Sequence, residues 1–397
     1  MPFIKVFKMK KSLFIVPLLA ILFFACTPSN DGKSQMLSVK ADLDNAGALR
    51  ASEYFDEVTY VPLETSDEFL IDYASKTVVS GNSLYVMCDK SVHVFSTETG
   101  EGKTSLSKLG NGPGEYKSLT DFIVGDSDGN IELLDNRGRK ILVYDSFGNF
   151  VRDWDVPAMA FSIFKKGSHQ YCFYNGNMKS DVSSFRVMDY DVEAQEKGKE
   201  FFPIDDNLAE YFHLMGEKVF NMTRNGLYCH ISPIDTIYKY VDDKGFVPAF
   251  HLDFMNHAAP ASFYEYKYRD IMEFSEAANK NEYIYALANF AVNGVDDVLF
   301  SCRLGKTFYW TVCLNGKPAN TTNAWMDDFH FTGTMPLTYH NIAYCLDDEY
   351  LYFFISAEQL MDMCEEGVKD ESMQTLIKSA GVTEESNPVL VKCKLKK

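Results

Sequence analysis

Asn82-Ser83-Leu84-Tyr85-Val86 leads through Val94-Phe95 to Glu98-Thr99-Gly100. Asn130-Ile131-Glu132-Leu133-Leu134 leads through Val143-Tyr144 to Ser146-Phe147-Gly148. The two stretches share one plan: an apolar strand, a second strand about ten residues on, and a turn closed by glycine. Leu84 and Ile131 lie 47 residues apart, and Phe95 and Tyr144 lie 49 apart. A repeat period in the forties with short strands in each unit is the mark of propeller blades.

Working outward, the pattern predicts a first blade over residues 76 to 108 and a second over 119 to 156. A third follows from Ala160 to about Phe202, and a fourth from Lys218 to Phe254 with Asp242-Asp243-Lys244-Gly245 as a turn. The strands near Phe290, Val298 and Phe308, with the Asn315-Gly316 turn signal, suggest a fifth. A sixth draws on Ile342 to Leu346 and Tyr350 to Ile355. Two lone strands, Val58 to Leu63 and Val389 to Leu395, are expected to pair and complete that blade, which removes two open edges. The expected fold is all-β, a six-bladed β-propeller with short helical insertions. Ala261 to Asn281 has helical spacing and no Gly or Pro, and Ser356 to Cys364 and Glu371 to Ser379 also read as helices, Ser356 as an N-cap. Insertions on repeat folds tend to gather on one face.

The start of the chain follows other rules. Lys5, Lys8, Lys10 and Lys11 precede an apolar run from Leu13 to Ala25, which is too short to span a bilayer and reads as a secretory signal. It ends Ala25-Cys26, as a bacterial lipoprotein cleavage site does, so Cys26 is expected to become the lipidated N-terminus. Phe23 and Phe24 depart from the tighter form of that site. The expected division is residues 1 to 25 as signal peptide, 26 to 50 as a lipidated flexible tether, and 51 to 397 as propeller. The Ser-, Asn- and Asp-rich stretch from Thr27 to Ser38 carries the tether reading. Such a protein would sit in the bacterial cell envelope, anchored by lipid alone to the outer membrane.

Without the signal, 34 basic side chains face 56 acidic ones, a net charge of −22. A chain so acidic is a poor partner for nucleic-acid phosphates. Eight cysteines remain after Cys26, none in a Cys-x-x-Cys pair. Cys88, Cys172 and Cys229 each follow a strand aromatic or apolar residue and are expected as small buried side chains, although an exported compartment permits disulfides.

Asn111-Gly112-Pro113-Gly114-Glu115-Tyr116, with Val61-Pro62-Leu63-Glu64-Thr65 upstream and Asn387-Pro388-Val389-Leu390-Val391 near the end, resembles the six-bladed β-propeller lipoproteins of Bacteroidota. That family is similar to NHL-repeat propellers. The resemblance implies the fold and an envelope location, but no reaction and no catalytic set.

Motifs for chemistry are few. The Gly112-Pro113-Gly114 loop lacks the Gly-Lys-Ser/Thr ending and following helix of a phosphate loop, and reads as a crossing between blades. Asp126-Ser127-Asp128-Gly129-Asn130 carries its Gly fourth and lacks flanking helices, so it reads as a hairpin turn rather than a calcium loop. There is no His-Glu-x-x-His and no Gly-x-Ser-x-Gly. Two readings of function follow. In the first, the propeller binds or scaffolds a glycan, a peptide or an envelope protein without catalysis and without a cofactor. Tyr264, Tyr268 and Trp325 are the candidate stacking residues for that ligand. In the alternative, the propeller is a metal-dependent enzyme of the lactonase or lyase kind. Asp121, Asn221 and Asn289, polar positions on inner strands, would then ring a divalent ion such as calcium in the central channel.

Overall fold

The computed structural model describes residues 36–125, 129–212 and 217–396. Its strands form six sheets arranged as the blades of a propeller. The first blade is Lys76–Ser80, Ser83–Met87, Val92–Ser96 and Gly102–Leu106, and the second is Asp121–Val124, Ile131–Asp135, Lys140–Tyr144 and Phe150–Asp155. These are the two units of the sequence repeat. Their middle strands are almost wholly buried, because a neighbouring blade covers each face, whereas Phe150–Asp155 on the rim is mostly exposed. Strands covered on both faces need apolar side chains on both, so they read as near-continuous apolar runs. The packing between blades is aromatic: Tyr144, Tyr116, Phe122 and Leu133 close one seam, Phe173, Tyr171, Ile163 and Leu134 the next.

Ring closure follows the expected pairing. Phe55–Pro62 runs antiparallel to Val389–Leu395 and forms the outer strand of the sixth blade beyond Cys345–Leu346 and Tyr350–Ile355. Asn387 pins the seam. Its amide Nδ2 donates to the carbonyls of Glu64 and Phe69, and its Oδ1 accepts from the Ile71 N–H. The fifth blade gains an outer strand, Asn320–Met326, that the sequence pattern did not show.

Two expectations are corrected. Residues 37 to 50, assigned to the tether, belong to the propeller. Leu37–Lys40 lies parallel to Gly245–Asp253, and Gly47–Arg50 lies parallel to Asn320–Met326, so each becomes a fifth strand on the rim of a blade. Val39 and Leu49 are buried there, and the edges of Gly245–Asp253 and Asn320–Met326 are covered. Each strand is four residues long and pairs with a partner hundreds of residues away, so local composition hides it. The second correction concerns the long helix at Ala261. It is two helices, Ala261–Glu265 and Ile271–Lys280. Asp270 caps the second by accepting from the Glu273 N–H at 2.9 Å, which fixes an extended backbone where a continuous helix would pass. Ser356 acts as the expected N-cap of Ala357–Glu366, in a reciprocal pair with Gln359.

Strands alternate in direction within each blade, and every blade begins at the axis. The connections between blades and the middle hairpin turn of each blade therefore leave by one face. All the helices between residues 206 and 280 and between 357 and 380 sit in such connections. Among the described residues, the hairpin turns on the opposite face, such as Gly81-Asn82 and Arg224-Asn225, are short. Among the described residues, no helix is long and apolar enough to cross a membrane. Cys26 lies outside the described residues.

Candidate functional site

Five inner strands line a central cavity of about 660 Å³: Lys76–Ser80, Asp121–Val124, Ser162–Lys165, Phe220–Thr223 and Cys345–Leu346. Its wall includes Gly125 and Asn130, Gly167 to His169, and Asp347, all in turns on the short-turn face. The cavity therefore reaches the face opposite the helical insertions of residues 206 to 280 and 357 to 380. It also runs sideways between the second and third blades. Ile123, Glu132, Val143 and Arg152 are cross-strand partners in one row across the second blade. That row and Trp154 form one wall of the cleft, and Lys165, Lys166 and His169 form the other.

Cations are concentrated here although the chain as a whole has a net charge of −18. Most are paired. Lys76 Nζ donates to Asp121 Oδ1 at 2.6 Å and to the Phe122 carbonyl at 2.7 Å. Lys165 pairs with the buried Glu132, which also accepts from the Tyr171 hydroxyl at 2.6 Å. Burial, and then the Glu132 charge, hold the Tyr171 hydroxyl well above its ordinary range. Lys166 bridges Asp189 and the Tyr240 hydroxyl, both at 2.7 Å. Arg152 stands over the Trp154 ring, and the His169 ring packs 5.3 Å from the same indole.

Lys218 differs from these. It projects from the start of the fourth blade into the cavity, and its one hydrogen bond among the described residues is to the Tyr344 carbonyl at 3.4 Å. Burial lowers its pKa to about 8. The Lys76 charge adds to that, and the Asp121 charge acts in the opposite sense. The neighbouring Glu217 turns away, into a buried cluster with the Tyr174 hydroxyl and the Ser232 N–H.

The three expected metal residues do not converge. Asp121 accepts from Lys76, from the Ser162 hydroxyl at 2.6 Å and from the Ile163 N–H at 2.9 Å, so it joins the first three blades. Asn221 Oδ1 accepts from the Val292 N–H at 3.0 Å, joining the fourth blade to the fifth. Asn289 Nδ2 donates to the carbonyls of Ile342 and Tyr344, at 2.6 and 3.0 Å, joining the fifth to the sixth. The physical reason is shared. An inner strand has no ladder partner on its axial side, so its neighbours' buried backbone groups must be met by side chains. Polar residues at these positions latch blades together. Among the described residues, no group of three or more His, Cys, Asp or Glu is arranged to hold a metal.

The expected stacking residues are also relocated. Trp325 is 1% exposed, packed in the core between Phe55 and Phe353, and offers no face to a ligand. Tyr264 and Tyr268 belong to an aromatic nest with Phe263, Tyr211 and Phe274 under the helical insertion. Tyr268 is buried, and the residue that points outward is Tyr266. Trp154, Arg152 and Lys218 were not singled out from the sequence. Arg152 and Trp154 do share one strand face by the period of two, but a rim strand gives no sign that a cleft runs beside it.

The Gly112-Pro113-Gly114 loop is the crossing that its sequence indicated. Gly114 takes φ 73° in the crossing between the first two blades, where its carbonyl accepts from the Tyr144 hydroxyl at 2.8 Å. A Cβ at that position would lie 2.8 Å from the Phe150 ring. Val124 pairs with Ile131, and of the Asp126 to Asn130 segment expected as a turn, Asp126 to Asp128 lie outside the described residues. Cys88, Cys172 and Cys229 are buried, and all eight described cysteines are unpaired thiols.

A family model described as a domain of unknown function, DUF4934, matches residues 35–394. The chain belongs to this family. The match begins beside Met36 and so takes in both rim strands that precede the expected propeller boundary. Among solved structures, the DUF4934 chain is similar to a Bacteroides fragilis protein described as a candidate exported protein, at 17% identity. That similarity covers 91% of this chain and 100% of the other, with a TM-score of 0.69. A member of the DUF4221 family from Bacteroides vulgatus is similar at 12% identity, covering 86% and 97% of the two chains, with a TM-score of 0.52. At such identities these likenesses show the fold alone. No curated protein matches the chain. The resemblance drawn from the sequence thus stands for the six-bladed fold of this DUF4934 protein and for its Bacteroides neighbours.

Proposed function

We propose that this DUF4934 protein is an envelope-anchored, non-catalytic binding propeller that takes the end of a polar chain, a glycan first among glycan, peptide and partner protein, into the central cavity and the cleft beside it. The observation that carries the reading is the cavity itself. Its volume lies in the range that encloses small ligands, and it is lined by Lys165, Lys166, Arg152 and Trp154. The inner-strand residues best suited to chemistry, Asp121, Asn221 and Asn289, hold the ring together instead. The reading calls for no cofactor.

Trp154 supplies the test. Trp310 and Trp325 are fully buried in the core, so a ligand entering the cleft should change the emission of Trp154. Titration with a library of acidic and neutral glycans and short peptides should give a saturable change that Trp154→Phe abolishes without loss of stability. Saturable binding that leaves Trp154 emission unchanged would place the ligand elsewhere and overturn the reading.

The anchor belongs to the same proposal. The mature chain would begin at Cys26, with the residues up to Met36 as its tether. The signal pattern supports this, as does the exported-protein description given to the Bacteroides fragilis relative. Cys26→Ser should end palmitate labelling and release the protein from the membrane fraction. Unchanged labelling and fractionation in that variant would remove the anchor.

A further inference from the structure

The cavity holds a cation that the ring does not use. Lys76, Lys165 and Lys166 each meet a carboxylate within 2.7 Å, and those pairs lock one blade to another or one strand to the next. Lys218 meets none within ion-pair distance among the described residues. Its one hydrogen bond among the described residues is long, and it is directed at a backbone carbonyl that also accepts from Asn289. A recessed ammonium with a single weak acceptor is costly unless something else completes its shell. Water can do so in the free protein. An anionic ligand does it better, because it accepts the same hydrogen bond and adds charge–charge attraction in a partly dehydrated site.

We propose that Lys218 is an anion-anchoring residue at the inner end of the cavity, and that it receives the carboxylate of a small polar acid. The inference deepens the binding reading above and rests on it. The choice of carboxylate follows from charge. Lys76, the cation that acts on Lys218, is held by Asp121, and Arg152 stands over Trp154 in the cleft, so at this end of the cavity one ammonium is left to balance one negative charge. A phosphate dianion would bring a second charge with no second free cation beside Lys218 among the described residues. The position fits the role. Lys218 lies two residues before the inner strand Phe220–Thr223, and Lys218, Phe220, Asn221 and Met222 all border the cavity.

The pH dependence follows with a definite sign. Burial is the largest influence on Lys218; of the charged groups that act on it, Lys76 disfavours its proton and Asp121 favours it, and the Cys345 thiol beside it would favour the proton only as a thiolate. Burial pushes the Cys345 thiol up to about 12, so that group stays neutral throughout the working range. Lys218 is protonated below about pH 8 and neutral above it. Carboxylate binding should therefore hold at pH 6 to 7 and fall as the pH passes through about 8. A bound carboxylate should in turn raise the pH at which Lys218 loses its proton.

Acetate is the minimal probe, since it needs only the inner end of the cavity. The full-length protein, reductively methylated with ¹³C-formaldehyde, would report each lysine by NMR, with Lys218→Met assigning the resonance. Acetate should shift the Lys218 signal saturably and move its titration midpoint from near 8 upward, and acetamide should not. Lys218→Met should weaken acetate binding about tenfold or more, and Lys218→Arg should restore most of it. An acetate response no larger than that of acetamide, or phosphate binding tighter than acetate at pH 7, would overturn the proposal. Failure of the broader reading would look different, since it is judged by Trp154 in the cleft, which acetate does not need to reach.

Discussion

Asp121→Ala should destabilise the propeller by about 3–5 kcal/mol, the usual result of removing one partner from a buried ion pair. Asp121 is 4% exposed and meets three blades at once. Without its carboxylate, the Lys76 ammonium, the Ser162 hydroxyl and the Ile163 N–H all lose their acceptor near the axis. Asp121→Asn keeps an acceptor oxygen but removes the charge, and should lie between wild type and Ala. Guanidinium unfolding at pH 7 followed by far-ultraviolet circular dichroism measures both. A loss below about 1 kcal/mol for Asp121→Ala would show that the latch is dispensable. If Asp121 were instead a metal ligand, added calcium should raise the wild-type midpoint and leave Asp121→Asn unchanged; the latch account expects calcium to affect neither.

The second large effect belongs to Trp325. Trp325→Ala should cost about 3–5 kcal/mol, as truncation of a large core aromatic does. The indole lies between Phe55 on the strand that closes the ring and Phe353 in the last blade, with ring centroids 6.0 and 5.2 Å away. The cavity left behind would therefore open at the closure seam, where the two ends of the chain meet. Trp154→Ala is the paired control. Trp154 is half-buried on an outer strand, so its truncation should lower stability by less than about 1 kcal/mol and act on ligand binding instead. Thermal unfolding of the two variants separates the roles. Equal destabilisation by both would mean that the cleft wall is part of the core and not a site.

The contrast between these two tryptophans shows why the fold was more legible than the site. Leu84 to Met87 and Ile131 to Leu134 announce their strands through local pattern, because strands covered on both faces need apolar side chains at consecutive positions. A side chain's exposure depends on what packs against it, and that is settled by residues far away. Trp325 and Trp154 sit in similar strand surroundings in the sequence, yet one faces the sixth blade and the other a gap. Asp121, Asn221 and Asn289 were correctly recognised as unusual polar residues on inner strands. Their function as latches follows from each having a backbone donor or acceptor of the next blade within about 3 Å, which no local pattern conveys.

The sequence by itself determined the repeat, the six blades, the pairing of Phe55–Pro62 with Val389–Leu395 and the absence of any recognisable catalytic motif. These depend on period, turn chemistry and local propensity, which are properties of neighbouring residues. Only the tertiary structure decided that residues 37 to 50 cover the rims of two blades, that the long helix breaks at Asp270, and that the cavity reaches the face opposite the insertions. It also decided that Lys218, unremarkable in the chain, is left in that cavity without a carboxylate among the described residues. Each of these depends on burial and on contacts between residues separated by much of the chain, and in a closed ring those contacts exist only once the last blade has met the first.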